Sequence, residues 1–150
     1  MTRVYVDDRN GGALRGAAFA PAGGGVMNGV LWAVQAVLAL LYLAGGAYKT
    51  FMFDELATEL QALPRAAWGV LGGIEMVGAV LLIAPAVLRW KPGLTPLAAT
   101  VLTVETLGLA ALYASYSLAF TAENPFVWAA AMAVLVGFVA YGRSGMLRQR

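Results

Sequence analysis

Residues Trp68–Leu88 read WGVLGGIEMVGAVLLIAPAVL. As a helix rising 1.5 Å per residue, this stretch is long enough to cross the ~30 Å hydrocarbon core of a bilayer. Its ionisable group, Glu75, lies near the middle, where a carboxylate is costly unless it has a partner or a function. Two other apolar runs carry a similar exception. Leu94–Leu118 holds Glu105 in mid-span, and Asn28–Tyr48 ends on Lys49. A fourth run, from Asn124-Pro125 to Tyr141, has no ionisable residue before Arg143.

Composition agrees with this reading. The 150 residues are 61% hydrophobic and 12% charged, against roughly 45–50% and 25% in a soluble domain. The surplus falls in four blocks separated by short polar segments. That pattern predicts an all-α, integral membrane four-helix bundle, with one membrane domain accounting for nearly the whole chain. There is no Cys and no His. Disulfides, thiol chemistry, His-ligated haem and Cys/His zinc sites are therefore excluded within this chain, and no metal site is expected. The net charge of +2 is small, with no basic stripe of the kind that binds nucleic acid.

Residues 1–26 are polar and Gly-rich, ending AAFAPAGGGV. They have no sustained period and read as a flexible tail. Residues 27–143 form the four-span domain, and 144–150 a short basic tail. The first apolar run is of spanning length, so it reads as a span rather than the core of a cleaved signal peptide. Between spans one and two, FMFDELATELQAL has an apolar face of Phe51, Leu56, Leu60 and Leu63, which predicts a short amphipathic helix in the interface. Pro64 ends it and opens span two. Gly69 and Gly73 have small-xxx-small spacing, which predicts a close helix approach on their face. Pro85 is expected to bend the far end of the span. Thr95 is the expected N-cap of span three, with Pro96 at its first helical position; Asn124-Pro125 repeats that start in span four. Ala129, Ala133 and Gly137 predict a packing face there.

Four spans put both termini on one side with the second loop. That side carries Arg3, Arg9, Arg15, Arg89, Lys91, Arg143, Arg148 and Arg150; the other carries Lys49 and Arg65. The asymmetry predicts that both termini are cytoplasmic.

The polar residues inside the spans have a pattern. Counting back from Lys49 at helical spacing gives Gly45, Tyr42, Leu38 and Gln35, a stripe of cation, phenol and amide on an oily helix. Such a stripe faces a bundle cavity, or else Lys49 snorkels to the headgroups while Gln35 bonds to a neighbouring helix. Glu105 shares its stripe with Leu109, Leu112 and Tyr116. From helical rise, Glu75 lies about 14 Å from one face and Glu105 about 16 Å from the other, so both sit near the midplane. Their helices are joined by a short loop and should pack as antiparallel neighbours. The carboxylates then face each other or one cavity. Lys49 lies higher, and direct pairing with Glu75 requires helix tilt. Two close carboxylates at low dielectric do not both ionise readily, so the pair suits proton holding and acid/base work. The alternative is that each acid bonds to a carbonyl or hydroxyl and serves as glue.

AGGAYKTF at the end of span one, GGIEMVGAVLLIAP in span two and FVAYGR in span four resemble the DoxX-like family of small bacterial membrane proteins, over about Asn28–Arg143. The G-x-x-K motif falls on Gly46 and Lys49, and G-x-x-E-x-x-G on Gly72, Glu75 and Gly78. The resemblance implies a four-helix bundle tied to redox physiology through quinone-linked and thiol-stress systems. Where the family pattern has a His- and Arg-containing stretch after span three, this chain has Tyr113-Ala-Ser-Tyr-Ser, which weighs against the chain itself handling electrons.

Three functions compete. The first is a non-enzymatic membrane component that binds lipid or quinone and supports a redox partner protein, alone or as a homo-oligomer. Candidate ligand contacts are Lys49, Tyr42, Gln35, Gly46, Gly72, Gly78 and Tyr116. The second is a small membrane isomerase or cyclase with Glu75 and Glu105 as acid and base. The third is a proton-coupled transporter, disfavoured because the chain lacks an internal repeat and broken helices.

Overall fold

The computed structural model describes residues 23–55, 63–88 and 90–148. The elements are α1 (Gly23–Phe51), a single 3₁₀ turn (Phe53–Glu55), α2 (Arg65–Val87), α3 (Leu94–Ala114) and α4 (Pro125–Arg148). No strand occurs among the described residues. All four α-helices are long and apolar enough to cross a membrane. The protein is an all-α, multi-pass helical bundle, as the hydropathy pattern requires. The chain divides into two compact units, 1–30 and 31–150. The described part of the first is the opening of α1, Gly23–Val30. The second, from Leu31 onward, holds the packed core and the polar residues of the spans.

Each helix of this second unit buries one stripe and leaves the rest of its surface apolar. The core joins Leu31, Leu38 and Tyr42 of α1 to Ala79 and Leu82 of α2, Ala99 and Leu102 of α3, and Val136 and Val139 of α4. Outward positions such as Val70, Val77, Val80, Leu97, Val104 and Val134 are exposed. A surface of this kind is suited to lipid, not water.

Pro85 explains how α2 is tied to its neighbours. Lacking an N–H, it deprives the Leu81 carbonyl of its helical donor. The Thr95 hydroxyl of α3 donates to that carbonyl at 3.4 Å. One residue along, the Leu82 carbonyl accepts from the Gln35 side-chain amide of α1. Side chains of two neighbouring helices thus bond to the backbone around the proline.

Several expectations need correction. Thr95 does not cap α3: the N-cap is Gly93 and has no side-chain cap bond. Thr95 instead lies within the first turn, where the carbonyl made available by Pro85 takes its hydroxyl. Gly69 and Gly73 mark no close approach, since a Cβ at either would meet nothing within 4 Å among the described residues. The glycines on the buried side of α2 are Gly72 and Gly78. Helix α1 begins at Gly23, before the expected end of the tail, and α4 continues to Arg148. Span three stops at Ala114, not Leu118. The expected amphipathic helix falls largely on 56–62, and the expected tail on 1–22; both lie outside the described residues.

Asn124 does cap α4. Its Oδ1 accepts from the Phe126 N–H at 3.1 Å, and its Nδ2 donates to the Ala119 carbonyl at 2.7 Å. Ala129 and Ala133 are buried, and a Cβ at Gly137 would sit 3.7 Å from Thr103 of α3. The small-residue face of span four is therefore a packing face against α3.

Candidate functional site

The buried stripe of α1 runs Leu31, Gln35, Leu38, Tyr42, Gly46, then the mostly buried Lys49. Helical side chains lean toward their own N-terminus. In an antiparallel pair such as α1 and α2, a side chain near the end of α1 and one further into α2 therefore lean toward each other. Lys49 accordingly donates to Glu75 Oε1 in an ion pair, with side-chain exposures of 14% and 5%. The reach is shortened by glycine. A Cβ on Gly46 would lie 2.5 Å from the Gly72 carbonyl oxygen, and one on Gly72 the same distance from that of Gly46. The two backbones touch there, and a side chain at either position would separate them.

Gly78 makes room for a side chain of α3, since a Cβ would lie 2.8 Å from the Leu102 side chain. Gly72-x-x-Glu75-x-x-Gly78 thus has a plain physical meaning. One glycine admits α1, the other admits α3, and the carboxylate sits between them at a three-helix junction.

On α3, Glu105 is half-buried beside Thr106. The Thr106 hydroxyl lies 2.7 Å from the Leu102 carbonyl and 3.3 Å from Glu105 Oε2. With its proton given to the nearer carbonyl, it accepts from the Tyr42 hydroxyl, 2.7 Å away. Glu105 and Glu75 lie within electrostatic range of each other, and Lys49 within range of Glu105. Tyr42 and Tyr113 both feel the two carboxylates. The Lys49 Nζ is 6.0 Å from the centre of the Trp68 ring, at the outer limit of a cation–π contact.

Lys49, Tyr42, Glu75 and Glu105 are therefore brought into one polar cluster, framed by Gly46, Gly72 and Gly78. Gln35 and Tyr116 lie elsewhere. Gln35 belongs to a second polar layer, where Arg143 Nε donates to its Oε1 at 2.8 Å and the guanidinium lies 5.3 Å from the Trp32 ring. Tyr116 is 61% exposed; it falls past the end of α3, so the helical period that would align it with Glu105 no longer applies. Tyr113 and Trp68 join the cluster without having been marked in the sequence. Tyr113 could have been found by stopping the α3 stripe earlier. For Trp68, which looks like an interfacial aromatic, sequence offers no such signal.

Three polar atoms of this cluster are buried and have no hydrogen-bond partner among the described residues: Glu75 Oε2, Glu105 Oε1 and Trp68 Nε1. Buried polar atoms are normally bonded, so each has capacity for a further partner. A Cβ at Gly45 would meet Glu75 Oε2 at 3.5 Å and nothing else within 4 Å among the described residues. Gly45 therefore borders that oxygen at a distance a methyl would fill. A separate apolar groove of about 370 Å³ runs between α1 and α2, lined by Ala36, Ala39, Leu40, Leu43, Ala79, Val80 and Ile83. By helical register it lies on the opposite flank of α1 from Gly45.

The chain matches no family model, no curated protein and no solved structure.

Proposed function

We propose that this protein is a DoxX-like, non-enzymatic membrane component whose Lys49–Glu75–Glu105 cluster binds the polar head of a lipid-like molecule of the quinone class and supports a redox partner. One observation carries the reading: Glu75 Oε2, Glu105 Oε1 and Trp68 Nε1 are buried and keep unused hydrogen-bonding capacity, and Glu75 itself is held in an ion pair with Lys49. A cluster serving only as glue would be expected to bond these atoms within the protein. The shared G-x-x-K and G-x-x-E-x-x-G motifs support the family, and the absence of His and Cys supports a binding rather than an electron-carrying role. Purified protein in nanodiscs is expected to carry a quinone through extraction and mass spectrometry, or to take one up on titration. A sample that carries none and binds neither the oxidised nor the reduced form would overturn the proposal.

The same proposal puts the chain in a bacterial inner membrane, on the DoxX-like resemblance, with cytoplasmic termini, on the excess of basic residues on that side. The chain has no cysteine, so a single Cys at exposed Ser117 gives a clean test. It should react with an impermeant maleimide from outside the cell, whereas a Cys at Arg148 should not.

A second reading, a membrane isomerase or cyclase, is favoured by one feature: two carboxylates in mutual electrostatic range, each with an unbonded buried oxygen. It requires solvent deuterium to enter an added isoprenoid alkene, and that exchange to vanish in Glu105→Gln.

A further inference from the structure

Resting on the head-group reading above, we infer that the ligand head which meets Glu75 is a hydroxyl, as in a hydroquinone, and not a quinone carbonyl. Lys49 donates to Oε1 of Glu75, so this side chain sits in the site as a carboxylate. A carboxylate only accepts hydrogen bonds. Its other oxygen, Oε2, is buried in a residue that is 4% exposed and has no partner among the described residues. Only a head that donates can bond to it; a quinone carbonyl brings a second acceptor against an acceptor, and repels.

The surrounding groups narrow the class further. Trp68 Nε1 is a donor in a fully buried ring, and it needs an acceptor. Glu105 Oε1 accepts if the side chain is ionised and donates if it is protonated. A hydroxyl both donates and accepts, so it suits Oε2 and either state of Glu105. An ammonium head would leave the indole N–H unmet. Gly45 borders this oxygen: a Cβ there would lie 3.5 Å from Oε2, at ordinary contact distance.

The test uses three probes that share one tail: decylubiquinol kept reduced under argon, decylubiquinone, and the quinol with both hydroxyls methylated. Binding to the full chain in nanodiscs is measured by calorimetric titration. The quinol is expected to bind at least tenfold more tightly than either other probe. Gly45→Ala places a methyl at ordinary contact distance from Oε2, in a helix that favours Ala over Gly, so the fold is retained. It should weaken quinol binding tenfold or more while leaving helical content unchanged and the thermal midpoint no lower. Glu75→Gln offers an amide N–H, and should shrink or reverse the preference for quinol. Equal affinity for quinol and quinone, or an unaffected Gly45→Ala variant, would overturn this inference while leaving the head-group reading in place. Failure of all three probes to bind would overturn both.

Discussion

Lys49 meets Glu75 because Gly46 and Gly72, each facing the other's carbonyl oxygen, let α1 and α2 touch along their backbones. The ion pair is thus a consequence of two missing side chains as much as of two opposite charges. It ties the end of one span to the interior of the next, and places a carboxylate where a third helix also packs.

Gly72→Ala should loosen that seam. Its Cβ would collide with the Thr50 hydroxyl and with the Gly46 carbonyl oxygen, a backbone atom that cannot yield without moving helix α1. A loss of about 1–3 kcal/mol is expected from overpacking. Gly73→Ala, next door but facing open space, should be neutral or slightly stabilising. Unfolding in mixed micelles with rising SDS measures both.

Removing one ion partner should be worse than removing both. Lys49→Met leaves Glu75 buried without its counter-charge, a loss of about 3–5 kcal/mol. Lys49→Met with Glu75→Leu should recover most of it, since apolar replacement of a buried pair is often neutral or stabilising. A double-mutant cycle by the same unfolding assay decides the point; additive effects would contradict it.

The bond from Thr95 to the Leu81 carbonyl should matter only because of Pro85. Thr95→Val leaves that carbonyl without a donor and should cost about 1 kcal/mol. In a Pro85→Ala background, the restored N–H takes the carbonyl and the Thr95→Val cost should fall toward zero. Comparing thermal midpoints of the four chains tests the coupling.

Tyr42→Phe should have a small effect, near ~0.6 kcal/mol, typical of interhelical hydrogen bonds in membranes. Thr106 keeps its bond to the Leu102 carbonyl at 2.7 Å, so no acceptor is stranded. A loss several times larger would mean that the Tyr42 hydroxyl serves more than this one contact.

Much of the site was legible at the level of positions. Helical spacing put Gln35, Tyr42 and Lys49 on one stripe of α1, and the structure buries that stripe. Rise per residue put Glu75 and Glu105 at similar depths, and they lie in electrostatic range. Spacing misled where it assumed that a helix continued, as at Tyr116, or that a repeated small residue must face a neighbour, as at Gly69 and Gly73. Both faces of α2 carry small residues, so sequence alone could not choose between them.

The sequence by itself determined that four apolar helices cross a membrane, and which residues interrupt their oiliness. Hydropathy and the 3.6-residue period are properties of single helices, and single helices reveal them. Only the tertiary structure decided that Gly46 and Gly72 are the contact, that Lys49 donates to Oε1 of Glu75, and that Oε2 is buried beside Gly45 with no partner among the described residues. Those outcomes depend on the rotation and approach of one helix against another. They are set by packing across helices, where removing a single Cβ changes the distance between backbones.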